Sequence, residues 1–220
     1  MEFNIKLTFV FIMCMILNFN VAAKEKISLL APYDEWYFNF FYPDSLPAEV
    51  IYVELLDTDG IYYQFRTLAS TNASPGSVGQ WSEKVSGMSS VFNKAKNPPM
   101  SIHFCWDSVI DKKEYETWIT LAGDVWKLML TPYSPPGGGS EKYYLRYLLI
   151  GLAPEGKVRV WLNKRDKPNI RLTDKQILIE TVSGEKMEMC KGISRHDFSL
   201  GDDEYVLEFI KDKKYPYGNW

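Results

Sequence analysis

The residues that could carry chemistry are few, and their spacing assembles no familiar catalytic or metal-binding motif. The chain has two histidines, His103 and His196, and neither stands in a zinc-binding or nucleophile motif. Ser101, His103 and Cys105 alternate along one predicted strand, so their side chains share a face at about 7 Å spacing, too far apart for a cysteine–histidine couple. The sequence therefore predicts no catalytic residue, no cofactor and no metal ligand, and we interpret the chain as a binding protein rather than an enzyme.

Acidic residues form two short clusters. Asp57 and Asp59 occupy a predicted turn, and Asp202, Asp203 and Glu204 follow one another later in the chain. Such residues favour turns because their side chains bond the local backbone, and they ordinarily face water. Calcium binding is a further interpretation, although neither cluster has the pattern of a known calcium loop. These five residues are the candidates for contacting a basic partner surface, where their charges would speed association.

Two cysteines, Cys105 and Cys190, remain once an N-terminal leader is set aside. Thiols in an oxidising compartment often pair. A disulfide here would close a loop of about 85 residues and stabilise the fold by roughly 4 kcal/mol on the chain-entropy model. Two buried free thiols are the alternative, because sequence spacing alone does not supply the geometry that a disulfide needs.

Residues 1–23 are predicted to be a cleaved export signal. Lys6 supplies a positive charge, the run from Leu7 to Leu17 is uncharged, and Val21-Ala22-Ala23 offers small residues where a signal peptidase cuts. An uncleaved N-terminal anchor or a buried helix is the alternative. Residues 24–220 are then predicted to be a single β-rich domain located in the periplasm.

Two other forms of membrane attachment are disfavoured by the sequence. Cys14 lies within the apolar run, but Phe11, Ile12 and Met13 before it are too bulky for lipoprotein processing, which disfavours an outer-membrane lipoprotein. No second apolar run approaches the roughly 20 residues of a spanning helix, so the mature chain is not expected to cross a membrane.

Composition narrows the class of partner. The formal net charge is −3, whereas a nucleic-acid-binding protein needs a basic face, so no nucleic-acid partner is expected. Aromatic residues make up 15% of the chain, enough to build a sizeable core. We interpret Trp106 and Trp161 as core or sheet-face residues, with a sugar-stacking platform as the alternative.

Alternation of apolar residues with a period of two dominates the chain and is typical of strands. The sequence predicts a mainly β, or α+β, fold: an antiparallel β-sandwich-like sheet with one or two short helices, at 124–130 and, unless that segment is a last strand, at 205–210. Three hairpins are predicted: 50–68 around a turn at 57–60, 143–162 around a type I turn at 153–156, and 176–190 around a turn at 183–185.

One turn and its flanking strands carry a specific likeness, in the segment Gly151-Leu152-Ala153-Pro154-Glu155-Gly156-Lys157-Val158-Arg159-Val160-Trp161-Leu162. It resembles the hallmark of a bacterial family catalogued as domain of unknown function 2931, where a strand ending Gly-Leu-Ala-Pro turns through a glycine into a strand ending Val-Trp-Leu. Trp36, Trp81 and the segment Trp106-Asp107-Ser108 are similar in their aromatic spacing.

This resemblance implies a location and a role. Members of the family are exported envelope proteins, many of them lipoproteins, and some are encoded beside type VI secretion toxins. The chain is therefore expected to bind another protein, a secreted toxin, as its immunity protein, and the family offers no catalytic residue to transfer. A periplasmic carbohydrate- or envelope-binding module is the alternative function, and a hydrolase with a dispersed carboxylate pair stays open.

Processing at Ala23 gives the first testable prediction. The mature N-terminus should be Lys24, without an acyl chain, because the small residues of the cleavage site directly follow the apolar run. The intact mass of the protein recovered from the periplasm measures this. A mass that includes Met1, or lipid on Cys14, contradicts it.

Overall fold

The structure, a computed structural model, describes residues 29–220. The predicted export signal at 1–23 and the first residues of the predicted mature chain lie outside the described residues. Within 29–220, no helix combines the length and the apolar character needed to cross a membrane.

The strands are β1 (Trp36–Pro43), β2 (Ala48–Asp57), β3 (Tyr62–Phe65), β4 (Asn72–Ser74), β5 (Lys94–Ala95), β6 (Pro99–Ser108), β7 (Lys113–Leu121), β8 (Tyr147–Ala153), β9 (Lys157–Leu162), β10 (Ile170–Arg171) and β11 (Ile177–Ser183). The helices are α1 (Gly123–Leu130) and α2 (Glu204–Ile210).

The strands form two sheets, and the predicted mainly β, sandwich-like α+β fold with short helices is confirmed. The six-stranded sheet has the order β10-β9-β8-β1-β4, with β5 also paired to β1. The five-stranded sheet has the order β11-β7-β6-β2-β3, and all its pairs are antiparallel.

Two pairings in the six-stranded sheet differ from the antiparallel prediction. Strand β1 runs parallel to both β8 and β4. Parallel neighbours need a long crossover connection, and between β1 and β8 the chain builds four of the five strands of the other sheet. The centre of the six-stranded sheet therefore depends on a pairing between residues more than 100 positions apart, such as Phe38 with Leu148.

The main core lies between the two sheets. Alternate residues of β1 and β6 supply it, including Phe38 and Phe104, which are 0% exposed. Val160 and Leu162 of β9 join this core while Trp161 between them turns to the opposite face, as the strand period requires. Helix α1 contributes Val125 and Met129, which share one helix face at a spacing of four residues.

The outer face of the six-stranded sheet is also covered. Phe41, Leu149 and Trp161 form a second apolar cluster there, against which Trp81 packs. Gly151 makes this packing feasible, since a Cβ at that position would lie only 2.4 Å from the Trp81 ring. The glycine and tryptophan that were noted separately in the sequence thus meet in one contact.

The hairpins around 57–60 and 153–156 are confirmed. Strand β2 pairs antiparallel with β3, and β8 pairs antiparallel with β9. The type I assignment of the second turn is wrong, because Glu155 has φ 65° and ψ 21°. That left-handed conformation belongs to the third position of a type II turn, where a type I turn has negative φ.

The predicted hairpin at 176–190 is wrong. Strand β11 forms and pairs with β7, but residues 187–196, here called the outer segment, leave the sheet and cover the outer face of the five-stranded sheet. The amides of Glu188, Met189 and Cys190 donate to the buried carboxylate of Glu116, at N–O distances of 2.8, 3.3 and 3.1 Å. Because these amides bond a side chain, they cannot enter a strand ladder.

Two further attachments hold the outer segment. Cys105 and Cys190 form a disulfide with a Cα–Cα distance of 5.3 Å, which confirms the predicted pairing. Ser194 Oγ donates to Asp107 Oδ2 at 2.8 Å, and the His196 amide donates to the same oxygen at 3.3 Å. The segment is thus fixed at both ends and in the middle.

Replacing Val160 with Asp should lower the free energy of unfolding by on the order of 4 kcal/mol or more, because Val160 is 1% exposed and the new carboxylate would have no partner. Leu178→Asp is the matched control, since Leu178 is 59% exposed, and its effect should stay within about 0.5 kcal/mol. Urea denaturation of both variants measures the difference. An unchanged midpoint for Val160→Asp contradicts the placement of β9 against the core.

Candidate binding site

A broad concavity lies where the two sheets end side by side. Strands β9 and β10 form one wall, and β11 forms the other. The cleft has a volume of about 920 Å³, and we call it the edge cleft. It is open because neither β11 nor the first half of β9 has a second neighbouring strand.

Strand β11 presents free backbone groups to the edge cleft. In an antiparallel pair, successive residues direct their amides and carbonyls alternately toward and away from the partner strand. The carbonyl of Gln176 accepts from the Ala122 amide at 2.8 Å, which fixes the alternation. The backbone groups of Ile179, Thr181 and Ser183 therefore point away from β7. The amides of all three, and the carbonyls of Ile179 and Thr181, bond no other backbone group of residues 29–220. The Ser183 carbonyl begins the short 3-10 turn at Gly184–Lys186.

The opposite wall repeats this arrangement at one position. The Leu172 amide donates to the Val160 carbonyl at 2.9 Å, so the even-numbered residues of β9 direct their backbone groups away from β8. Val158, two residues earlier, lies beyond the end of the short strand β10 and lacks such a partner within the described chain. Both walls thus offer unpaired backbone groups.

The edge cleft carries an excess of positive charge. Two acidic side chains line it, those of Glu155 and Asp174, against four basic side chains. None of the four makes an ion pair or a side-chain hydrogen bond with the residues that the structure describes. The four basic residues are Lys113 on β7, Lys157 and Arg159 on β9, and Arg171 on β10.

A hydrogen-bonded group built around Asp111 closes one end of the cleft. The hydroxyls of Tyr115 and Tyr215 donate to its two carboxylate oxygens at 3.0 and 2.7 Å, and the Glu155 amide donates at 2.9 Å. Burial raises the pKa of both tyrosines, and the charge of Asp111 and its hydrogen bonds to them raise it further, so their hydroxyls stay protonated and keep donating. This group ties the turn between β6 and β7 to the turn before β9 and to the C-terminal residues.

The outer face of the five-stranded sheet holds the second group of chemical interest. His103 Nε2 lies 2.7 Å from Glu116 Oε1, and the imidazole stacks on Trp118 at a centroid distance of 4.3 Å. Ligand atoms of His103, Glu116 and Cys190 lie within 4.8 Å of one another. Cys190 is oxidised, however, and a disulfide sulfur supplies no thiolate for a metal or for nucleophilic attack. The same holds for Cys105, which removes the cysteine–histidine couple considered from the sequence.

The Glu116 carboxylate serves as an anchor for the outer segment. Burial raises its pKa, but the hydrogen bonds from the backbone and from His103 lower it more, and the net pKa is below the ordinary value of 4.5. The group is therefore ionised at neutral pH and accepts hydrogen bonds at both oxygens.

The comparison with known families assigns the chain. A family model described as protein of unknown function (DUF2931) matches residues 20–218. The protein belongs to the DUF2931 family. This confirms the family inferred from the Gly151–Leu162 segment. Neither a curated protein nor a solved structure matches the chain significantly.

This DUF2931 protein does not bring the predicted acidic candidates together. Asp57 is 0% exposed, and its carboxylate accepts from the amides of Asp59 and Ile61 at 2.9 Å each, so its candidacy for partner contact is corrected to a structural role in the turn. Asp59 is exposed at the end of β2.

The other acidic candidates lie elsewhere. Asp203 and Glu204 are exposed and Asp202 is half-buried, at the start of α2. Burial, and then the charges of Tyr42, Asp203 and Asp44, raise the pKa of Tyr205 in this helix. Because Asp57 is buried, the five acidic candidates do not form one exposed surface.

The edge cleft of this DUF2931 protein was not identified from the sequence. Lys157 and Arg159 stand at the two-residue spacing of one strand face, which was a visible signal. Their relation to Arg171 and Lys113 depends on sheet pairing, and the free edge of β11 was hidden by the incorrect third hairpin.

Glu116→Gln should lower the free energy of unfolding by about 2 kcal/mol at neutral pH, since three amides of the outer segment lose an ionised, buried acceptor. A lowered folded-state pKa stabilises the protein above the unfolded-state pKa, and this contribution is lost as pH falls through the folded-state value. The deficit of the variant should therefore shrink in acid.

Urea denaturation at neutral and acidic pH measures both effects. Glu180→Gln is the matched control, because Glu180 is an exposed carboxylate on the neighbouring strand and should change stability little. A deficit for Glu116→Gln that is absent at neutral pH, or that grows in acid, contradicts the anchoring role.

Proposed function

We propose that this DUF2931 protein is an exported, non-catalytic binding protein of the periplasm, and that its ligand is another protein: a type VI secretion toxin that it neutralises as an immunity protein. The edge cleft is the observation that carries this proposal. An immunity protein needs a surface that another chain can occupy, and unpaired strand edges with uncompensated charge provide main-chain and electrostatic contacts for a polypeptide.

The disulfide supports the proposed location. Disulfides form and persist in the periplasm and outside the cell, whereas cytosolic thiols are kept reduced. The Cys105–Cys190 bond closes a loop across 85 residues and holds the outer segment in place. It fits a chain with the predicted export signal.

The carbohydrate-binding alternative receives no support from a specific site. A sugar-stacking platform needs accessible indole rings. All seven tryptophans lie in the described residues, and each is buried or half-buried, with Trp36, Trp106 and Trp161 at 0–1% exposure. We therefore put forward one function.

Co-expression tests the proposal. The product of the gene adjacent to that of this protein should stop growth when it is exported to the periplasm alone, and co-expression of the full-length chain should restore growth. The two proteins should also co-purify, because neutralisation by binding requires a complex.

A matched variant that lacks residues 2–23 serves as the control for compartment. It should stay in the cytosol and give no protection, because the toxin acts elsewhere. If the neighbouring product is toxic and the full-length chain neither restores growth nor co-purifies with it, the immunity proposal is wrong.

A further inference from the structure

We infer that strand β11 accepts an added β-strand: an extended segment of the partner protein, rich in Asp and Glu, that pairs with the free edge of β11 inside the edge cleft. The inference rests on the proposed function, since it names the part of the partner that is recognised. The acidic candidates considered from the sequence address a basic partner surface, so this contact is a different one.

The free edge exists because the chain's own next segment is held elsewhere. After β11, a turn at Gly184–Lys186 would allow the following residues to fold back as a hairpin. The amides of Glu188 and Cys190 are instead bonded to Glu116, and the disulfide holds Cys190 against β6. The position beside β11 is therefore left to another chain.

The edge supplies a defined set of main-chain contacts. The strand is 7 residues long, or roughly 24 Å at the rise of an extended chain. Ile179 and Thr181 each direct a free amide and a free carbonyl outward, and Ser183 adds a free amide. A segment of about seven residues can bond all three in one register, as in strand addition to an exposed sheet edge.

The charge of the cleft selects the side chains of that segment. Lys113, Lys157, Arg159 and Arg171 line the cleft without carboxylate partners among the described residues. An added strand with acidic residues at alternate positions would place them on one face, where these cations can pair with them. A basic or apolar segment would leave the charges unpaired.

A second copy of the chain is disfavoured as the occupant. Pairing of β11 with itself would form a two-fold interface, in which each copy presents the same cations to the other. Like charges at a shared edge are destabilising. The expected occupant is therefore a chain of different sequence.

A phage-displayed library of random linear heptapeptides, selected on the oxidised, exported protein, tests the inference. Enriched sequences should lack proline and carry Asp or Glu at alternate positions. The best of them, synthesised with a fluorescent label, should bind in an anisotropy titration. The same peptide N-methylated at alternate residues should lose binding, because it keeps its charges but cannot donate to the strand edge.

Charge reversal in the protein provides the second measurement. Arg159→Glu combined with Arg171→Glu should weaken peptide binding by about tenfold or more, since attractions become repulsions. Lys84→Glu combined with Lys96→Glu is the matched control, because both side chains are exposed and lie outside the cleft. Circular dichroism and urea denaturation should show all variants folded.

Several outcomes overturn the inference. No enrichment, binding unaffected by N-methylation, or binding unaffected by the cleft reversal each contradicts strand addition. A concentration-dependent dimer in light scattering that the cleft reversal abolishes assigns the edge to a second copy instead. Binding of dextran sulfate without any peptide binding assigns it to a polyanion.

The proposed function and this inference can be refuted independently of each other. If the cleft-reversed protein still restores growth and co-purifies with the neighbouring toxin, the immunity role stands and the edge cleft is not its contact. If peptides bind as expected but no neighbouring product is neutralised, the cleft binds acidic strands and the immunity role is wrong.

Discussion

Glu116 places an ionised carboxylate at a fully buried position beneath the outer segment. A buried charge is tolerated only when hydrogen bonds replace its lost hydration, and here the donors are three consecutive amides of the outer segment together with His103. Amides committed in this way cannot pair with β11. The disulfide at Cys190 also holds the outer segment away from β11 by a covalent bond. The open edge of β11, and with it the edge cleft, follows from the requirement that this one carboxylate be satisfied.

Local signals were enough to predict much of the fold. The strand predicted from the alternation of Ser101, His103 and Cys105 is β6, whose opposite face buries Ile102, Phe104 and Trp106. The Asp57–Gly60 turn predicted the β2–β3 hairpin. These features depend on residues close together in the sequence, where the strand period and turn chemistry act directly. The disulfide was predicted for a different reason: Cys105 and Cys190 are the only two cysteines outside the predicted leader, so one pairing was available.

Features set by distant residues could not be predicted. The turn at 183–185 and the apolar residues after it are compatible with a hairpin. The Glu116 carboxylate, 72 positions before Glu188, and the disulfide to Cys105 hold this segment elsewhere. The burial of Asp57 is likewise set by a residue distant in the sequence. Its turn chemistry was recognised, but its burial is set in part by Asn97, whose amide nitrogen lies 3.4 Å from Asp57 Oδ2. A turn aspartate therefore became a buried acceptor rather than a surface charge.

The net charge of the chain and the charge of the edge cleft have opposite signs, so they favour different features in a partner. The chain is mildly acidic overall, at −3, and this charge influences the approach of a partner before contact. At physiological ionic strength, screening limits electrostatic interactions to about 8 Å, so contact within the edge cleft is governed by its own unpaired cations. A partner that is neutral or basic as a whole and carries a short acidic strand would suit both the acidic net charge of the chain and the cations of the edge cleft. Attraction of the whole surfaces would then promote encounter, and the acidic strand would set the register of the bound chain along β11.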